Sequence, residues 1–329
     1  MKLPLLAISL LAVVTLLGSA CGGQPVGAHS TATQSLTITR IAREELHTAM
    51  DQWHAEAGTI VALDLDTGAV LAAVGRTSAG DDDTLATKQT WITGSTLKTF
   101  THAIALDAGA VTPETMLDCR TRSWGEQAME DSSPHQDLSV RDALAVSSNV
   151  AASRILDSVG FAPWLVGIKR FHLGDAPAVW PTITDGTSYE AAMLASGELG
   201  PATPLQVAAA YAAIFRNGSY VPPVAVGALA GKPEPTMSAD TAQTMIGLLE
   251  NVITSPIGTG HNAAIPGHRV AGKTGTMPLD EDRMYGSFVG RVLDGPNIVL
   301  MVGLVSSDDG YTGGKAAAPV FARVMQRLM

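Results

Sequence analysis

The stretch Ser95-Thr-Leu-Lys98 decides how the rest of the chain is interpreted. Apolar residues follow it at helical spacing up to Ile104, and Gly109 marks the end, so a helix is predicted to begin here. A serine and a lysine three residues apart then share one helix face. A neutral lysine can take the proton that serine loses on attack, which makes the two a candidate nucleophile and base. Because this spacing also occurs by chance, its weight depends on the motifs that accompany it.

The composition indicates a globular chain that does not bind nucleic acid. Of the 329 residues, 46% are hydrophobic and 16% are charged, which is ample for a buried core. Acidic residues outnumber basic ones, 31 to 21, and this balance argues against nucleic acid as a partner. The acidic run Asp81-Asp-Asp83 has no second acidic or histidine cluster nearby, so it is predicted to be solvated rather than metal-binding.

The first 40 residues have the pattern of an export signal and a tether. Residues 1–20 combine Lys2, an apolar run and the small residues Gly-Ser-Ala, which predicts a signal peptide too short to span a bilayer comfortably. Cys21 is a candidate lipidation site that would attach the protein to the membrane, although Gly18 stands where lipoprotein signals prefer a large aliphatic residue. Ordinary signal cleavage is the alternative. Residues 21–40 are predicted to form a flexible tether, and residues 41–329 one domain outside the cytoplasm.

Predicted strands lie towards both ends of the chain, and predicted helices lie between them. A hairpin is expected from residues 59–65 and 69–74, and three more strands from residues 269–277, 286–292 and 298–305. Residues 161–189 are expected to be irregular. This order predicts an α+β fold with a mostly antiparallel sheet of about five strands flanked by helices, including a first helix at 41–53. The central helices would form a second lobe, with the active-site cleft between the lobes.

Two more polar motifs accompany the first. Ser147-Ser-Asn149 separates two predicted helices, so its side chains either cap those helices or face the cleft. Lys273-Thr-Gly-Thr276 lies on a predicted strand that its glycine weakens. Such a glycine indicates either a bulge beside a surface lysine or the close approach of another backbone, such as a peptide substrate along the sheet edge.

In this order the three motifs resemble those of the penicillin-binding transpeptidases and serine β-lactamases. Residues 61–72, 203–212, 270–276, 287–290 and 317–321 are similar to further segments of that family, so the resemblance covers nearly all of the chain from about residue 55. Two departures affect loop geometry: Thr93 stands where proline is usual, and Gly197-Glu-Leu-Gly200 replaces a glycine-any-glycine pattern. The resemblance implies a β-lactamase/transpeptidase-like fold.

The resemblance also implies roles for the motif residues. Ser95 would be the acylated nucleophile, Lys98 its base, and Ser147 the relay that protonates the leaving group. Backbone N–H groups of Ser95 and Thr276 would form the oxyanion hole. Asn149 would orient the substrate amide and Lys98, and Lys273 would attract a terminal carboxylate. The substrate-binding set is Asn149, Lys273, Thr274, Gly275 and Thr276. No metal or organic cofactor is required.

The function implied is that of a D,D-transpeptidase that cross-links peptidoglycan stem peptides and is acylated by β-lactams. The short distance from Cys21 to Ser95 favours an auxiliary role. D,D-carboxypeptidase and β-lactamase activities remain open, as does a non-enzymatic sensor of β-lactams or stem peptides. The penicillin adduct is expected to be long-lived, because no Glu-x-x-Leu-Asn loop follows the second motif and Asn149 holds a place where carboxylated-lysine hydrolases carry an apolar residue. Glu190 and Glu198 are the glutamates between the second and third motifs that could overturn this expectation.

Overall fold

A computed structural model describes the backbone of residues 26–329 and the side chains of residues 32–329. The predicted signal peptide and the candidate lipidation site Cys21 lie outside the described residues. Within the described residues, none of the helices combines the length and the apolarity that crossing a bilayer requires.

The described chain contains both helices and strands. The α-helices are α1 (Val26–Gln52), α2 (Thr84–Thr87), α3 (Lys98–Asp107), α4 (Val140–Val146), α5 (Asn149–Val159), α6 (Phe161–Lys169), α7 (Tyr189–Ser196), α8 (Pro204–Phe215), α9 (Ala239–Thr254) and α10 (Gly313–Leu328). The strands are β1 (Ala57–Asp64), β2 (Val70–Thr77), β3 (Gly80–Asp81), β4 (Trp91–Ile92), β5 (Met116–Asp118), β6 (Arg122–Trp124), β7 (Gln127–Met129), β8 (Asp137–Ser139), β9 (Pro201–Ala202), β10 (Ser219–Tyr220), β11 (Glu234–Pro235), β12 (Val270–Pro278), β13 (Met284–Val292) and β14 (Ile298–Ser306). Short 3-10 helices lie at Gly94–Thr96 and His261–Ala263.

The main sheet is antiparallel and has the strand order β12-β13-β14-β1-β2-β3. The predicted hairpin therefore pairs with the three C-terminal strands through β1 and β14, with Val61 opposite Met301. Every residue of β14 is buried, because helices cover both faces of the sheet: α1 and α10 lie on one face, and α8 and α9 on the other. The predicted α+β fold is confirmed, and the two-residue β3 raises the count from about five strands to six.

The second lobe is helical and is built around α3. This helix contacts α4, α5, α6 and α7, and it also packs against α9 beside the sheet. Its buried side chains include Phe100 and Ala103, which join the apolar core that runs through both lobes. Because the first motif begins α3 and the third lies on β12, the helical lobe and the sheet meet at the predicted site.

Two predictions about individual segments are wrong. Helix α1 begins at Val26, so most of the segment predicted as a flexible tether is helical. Ser35 Oγ and Thr39 Oγ1 donate hydrogen bonds to Leu71 O of β2 at 2.7 and 3.3 Å, and these contacts dock polar sequence against the sheet. Residues 161–189 are not wholly irregular, because α6 occupies their beginning. A Cβ on Gly167 would lie 2.8 Å from Ile104 Cγ1, so this glycine permits close packing of α6 on α3.

Candidate active site

Ser95 and Lys98 lie on consecutive turns at the start of the central helix. The structure places Ser95 in the 3-10 turn Gly94–Thr96 and begins α3 at Lys98, where the sequence predicted one continuous helix. Lys98 Nζ donates a hydrogen bond to Ser95 Oγ over 2.7 Å. The predicted nucleophile and base are therefore within proton-transfer distance without any substrate present.

Lys98 is only 1% exposed, and burial is the main influence on its protonation. Desolvation disfavours the ammonium form and lowers the pKa of Lys98 from 10.5 to about 8. The negative charges of Glu198 and Asp131 oppose this effect and raise the pKa. A neutral fraction of Lys98 is thus present near neutral pH, as a general base requires.

The side chains of the second motif have two different roles. Ser148 caps a helix, whereas Ser147 and Asn149 face the cleft, so each of the two predicted roles applies to part of the motif. Ser148 caps α5, and its hydroxyl accepts from Ala151 N. Ser147 ends α4 with φ 68° and ψ 39°, the left-handed conformation that a non-glycine residue adopts at a cost. This conformation leaves Ser147 Oγ to accept from Lys273 Nζ at 2.8 Å.

Asp131 supports the second motif, and the sequence analysis did not identify it. Its carboxylate accepts from Ser148 Oγ at 2.6 Å and from the backbone N–H groups of Asn149 and Val150 at 2.6 and 3.1 Å. A carboxylate at a helix N-terminus binds otherwise unpaired N–H groups and is favoured by the helix dipole. Asp131 therefore fixes the start of α5, where Ser147 and Asn149 enter the cleft.

The third motif lies on β12 against the first. Lys273 is completely buried, and its Nζ also donates to Thr274 O at 3.0 Å. Burial and the nearby Lys98 lower the pKa of Lys273 well below 10.5. Thr274 Oγ1 shares a 2.7 Å hydrogen bond with Thr259 Oγ1, and Thr276 Oγ1 accepts from Gly313 N at 3.0 Å.

The glycine of the third motif lies where a side chain has no room. A Cβ on Gly275 would lie 3.1 Å from Thr96 Cγ2 and 3.3 Å from Thr93 O, and it would also collide with Ser287 Oγ. The turn that carries Ser95 therefore approaches Gly275 closely, and the predicted part of Gly275 in substrate binding stays a prediction. Thr276 N lies 3.5 Å from the place that a Cβ on Gly94 would take. The N–H group of Thr276 is therefore adjacent to the turn that carries Ser95.

Asn149 uses its amide donors within the protein. Its Nδ2 donates to Glu198 Oε1 at 3.1 Å and to Glu130 O at 3.3 Å. Since both partners are acceptors, the amide group can be oriented in only one way, with Oδ1 left for a substrate. No hydrogen bond joins Asn149 to Lys98 in the described part of the chain, so the predicted contact between these side chains is not made in this structure.

The two departures from the family pattern contact each other. Thr93 N and Thr93 Oγ1 both donate to Gly200 O, at 3.0 and 2.8 Å, and Gly94 N donates to Gly197 O at 3.0 Å. Proline at position 93 would have neither of the first two donors. The turn from Gly197 to Gly200 is therefore fastened to the turn that carries Ser95, and it holds Glu198 at the site.

All three motifs border one cleft of about 970 Å³ between the lobes. Its lining includes Ser95, Ser147, Asn149, Thr274 and Thr276, while Lys98 and Lys273 lie buried behind the hydroxyls that they contact. Asp131 and Glu198, which no sequence motif marked as site residues, line it too. The arrangement is suited to attack by a serine hydroxyl on a carbonyl group next to a carboxylate-bearing substituent.

Comparisons with known proteins agree with this geometry. Residues 58–326 match the penicillin binding protein transpeptidase domain. The probable peptidoglycan D,D-transpeptidase PenA of Neisseria flavescens is 29% identical over 324 residues, which cover 88% of this chain and 79% of the relative. The peptidoglycan D,D-transpeptidase FtsI of Escherichia coli K12 is 28% identical over 309 residues, which cover 85% of this chain and 52% of FtsI. The chain spans about half the length of other curated relatives, with 54% of PenA from Neisseria gonorrhoeae and 52% of FtsI covered.

A solved structure is similar over nearly the same range. The transpeptidase domain of Burkholderia pseudomallei penicillin-binding protein 3 is 28% identical, with a TM-score of 0.77 over 88% of this chain and 93% of that domain. The motif order, the sheet with its helical lobe and the family match agree. The chain belongs to the penicillin-binding protein transpeptidase family.

Proposed function

We propose that the protein is a D,D-transpeptidase that cross-links peptidoglycan and is inhibited covalently by β-lactams. The observation that carries the proposal is the 2.7 Å contact between Ser95 Oγ and the Nζ of a fully buried lysine, Lys98. Relatives named as peptidoglycan D,D-transpeptidases support the choice of substrate, the stem peptide that ends in D-Ala-D-Ala.

Acylation begins with Lys98 in its neutral form. Its lone pair takes the Ser95 Oγ proton as Oγ attacks the carbonyl carbon of the penultimate D-alanine. The backbone N–H groups of Ser95 and Thr276 stabilise the oxyanion, and Lys273 with the Thr274 and Thr276 hydroxyls holds the terminal carboxylate.

The leaving group then departs with a proton. The carbon–nitrogen bond breaks, and the proton held by Lys98 passes through Ser147 Oγ to the amine of the leaving D-alanine. Lys98 is neutral again in the acyl-enzyme. In the second half-reaction the amine of an acceptor peptide attacks the ester carbon, and Lys98 moves the proton of this amine to the departing Ser95 Oγ.

The predicted domain arrangement and location complete the proposal. Residues 1–20 serve as a signal peptide, Cys21 carries the lipid, and the catalytic domain acts outside the cytoplasm on the membrane surface. Fractionation of cells tests the anchor: Cys21→Ser moves the protein out of the membrane fraction. If the membrane-bound share is unchanged in this variant, lipid at Cys21 does not hold the protein.

The activity itself is tested with a synthetic donor peptide ending in D-Ala-D-Ala and an amine acceptor. Mass spectrometry should detect the cross-linked product and free D-alanine, and neither should form with Ser95→Ala. Release of D-alanine without cross-linked product would identify a D,D-carboxypeptidase. Formation of neither product, together with rapid hydrolysis of penicillin, would identify a β-lactamase.

A further inference from the structure

Glu198 is a carboxylate of the cleft to which the reaction described above gives no role. It is partly buried and lines the cleft together with Ser95. Its Oε1 accepts from Asn149 Nδ2 at 3.1 Å, and its Oε2 accepts from Ser196 Oγ at 3.3 Å. Each carboxylate oxygen can accept two hydrogen bonds, so both oxygens retain acceptor capacity.

The backbone holds Glu198 in a fixed place relative to the nucleophile. Three hydrogen bonds from Thr93 and Gly94 fasten the turn Gly197–Gly200 to the turn that carries Ser95. Gly197 has a φ of 94°, and a Cβ there would collide with Gly94 O, so only glycine fits at this contact. The position of Glu198 is thus set by the same turn that presents Ser95 Oγ.

Within the described part of the chain, Glu198 forms no salt bridge. None of the salt bridges among the side chains described for residues 32–329 includes Glu198, and its two hydrogen-bond donors are neutral groups. The negative charge of Glu198 raises the pKa of Lys98, but Lys98 Nζ donates its hydrogen bond to Ser95 Oγ. A partly buried carboxylate with neutral partners is a favourable place for a cation to bind.

Charges along the cleft are separated by sign. Lys315 lies on the side of the third motif, and the buried Lys273 lies behind Thr274 on the same side. This is the side where the proposed reaction places the carboxylate of the donor peptide. On the side of the second motif lie Asp131 and Glu198. Asp131 already accepts three hydrogen bonds that hold the start of α5, so Glu198, which accepts two, is the carboxylate with the greater free capacity.

From this arrangement we infer that Glu198 is a specificity-determining residue that binds the ammonium group of the acyl acceptor, a primary alkylamine, opposite the site of the donor carboxylate. The inference rests on the proposed transpeptidase function and names a group that would select the acceptor. The role of Glu198 is to bind and orient the acceptor before its amine loses a proton to solvent and attacks the Ser95 ester.

A competition between two acceptors tests the inference. The acyl-enzyme is formed from a D-Ala-D-Ala donor peptide at about pH 7.5 in the presence of Nα-acetyl-lysine amide, which carries an alkylammonium, and hydroxylamine, which is uncharged. The ratio of the two products depends only on how the acyl-enzyme partitions, so changes in acylation rate cancel. Glu198→Gln keeps the shape of the side chain and an oxygen for Asn149, but removes the charge.

The expected result is a fall of at least about fivefold in the ratio of lysine product to hydroxamate in Glu198→Gln. Glu190→Gln is the matched control, because Glu190 is an exposed carboxylate on α7 outside the cleft lining, and this variant should keep the wild-type ratio. Added salt should lower the ratio for the wild type more than for Glu198→Gln, since it screens the attraction.

An unchanged product ratio in Glu198→Gln, with both products still formed, would overturn the inference and leave Glu198 only an influence on Lys98. The salt dependence of the wild type provides a second readout that requires no variant, and its absence would also count against ammonium binding. If the wild-type protein formed no acyl-enzyme at all, the proposed function would fail and the inference would fail with it.

Discussion

Lys98 on α3 and Lys273 on β12 are both buried lysines bonded to a serine hydroxyl, at 2.7 and 2.8 Å, yet their surroundings differ. For Lys98, the charges of Glu198 and Asp131 partly offset the lowering of the pKa by burial, and the pKa is about 8. For Lys273, burial and Lys98 act in the same direction and lower the pKa without opposition. Two lysines of one cleft can therefore have different roles. Lys98 already has negative charges nearby, whereas the negative charge beside Lys273 would be supplied by the carboxylate of a bound substrate.

Removal of the nucleophile is expected to have the largest effect, and it distinguishes Ser95 from the other hydroxyl groups of the cleft. Ser95→Ala should abolish labelling by fluorescent penicillin, because the attacking oxygen is lost while the fold is unaffected. Ser133→Ala is a suitable control, since Ser133 lines the same cleft and is exposed. Gel fluorescence measures both variants, and label on Ser95→Ala would exclude Ser95 as the nucleophile.

Replacement of the first lysine should slow the reaction by about 10² to 10⁴-fold, the usual contribution of a general base. For the wild type, the second-order rate of acylation should rise with pH up to about 8, because only neutral Lys98 accepts the serine proton. Lys98→Ala should lose this rise. Stopped-flow measurement between pH 6 and 9 tests the assignment, which a flat wild-type profile would contradict.

Replacement of the second lysine should have a smaller effect with the opposite dependence on pH. Lys273 must be protonated to attract a carboxylate, and its lowered pKa means that the charged fraction falls as pH rises. Lys273→Ala should therefore reduce the second-order rate about 10 to 100-fold, remove the alkaline decline and weaken the salt dependence. An alkaline decline that survives in this variant would assign that limb to another group.

The smallest expected effect concerns the support of the second motif. Asp131→Ala removes an acceptor shared by Ser148 Oγ and two backbone N–H groups, so the free energy of unfolding should fall by about 1.5–3 kcal/mol. Acylation should slow several-fold, because Ser147 and Asn149 lose a fixed position. Asp131→Asn keeps one acceptor oxygen and should lie between wild type and alanine in urea denaturation. Equal stability of all three proteins would refute the capping role.

The fold and the three motifs could be predicted from sequence because each depends on local pattern. Ser139, Thr203 and Ser238 cap α4, α8 and α9, and such a signal is visible in the sequence because a cap and its helix lie within a few residues. The first strands paired with the last as expected, because their apolar runs require burial on both faces.

The parts that sequence could not predict depend on contacts between distant segments. Asp131 lies in a loop without periodicity, and only the folded chain brings it to the start of α5. Glu198 was noticed as part of a departure from a family pattern, but its contact with Asn149 joins residues 49 apart. Helix α1 was shortened in the prediction because its first turns are rich in Ser and Thr, whose tertiary hydrogen bonds to Leu71 cannot be seen locally.

Acylation of Ser95 is the central claim about this protein, and intact-protein mass spectrometry during incubation with penicillin measures it. The expected result is a single adduct with the full mass of the antibiotic, mapped by peptide digestion to the segment containing Ser95 and persisting for many minutes. No adduct, or an adduct on another residue, would contradict the central claim. An adduct that disappears within seconds through hydrolysis dependent on Glu198 would contradict the transpeptidase assignment in favour of a β-lactamase.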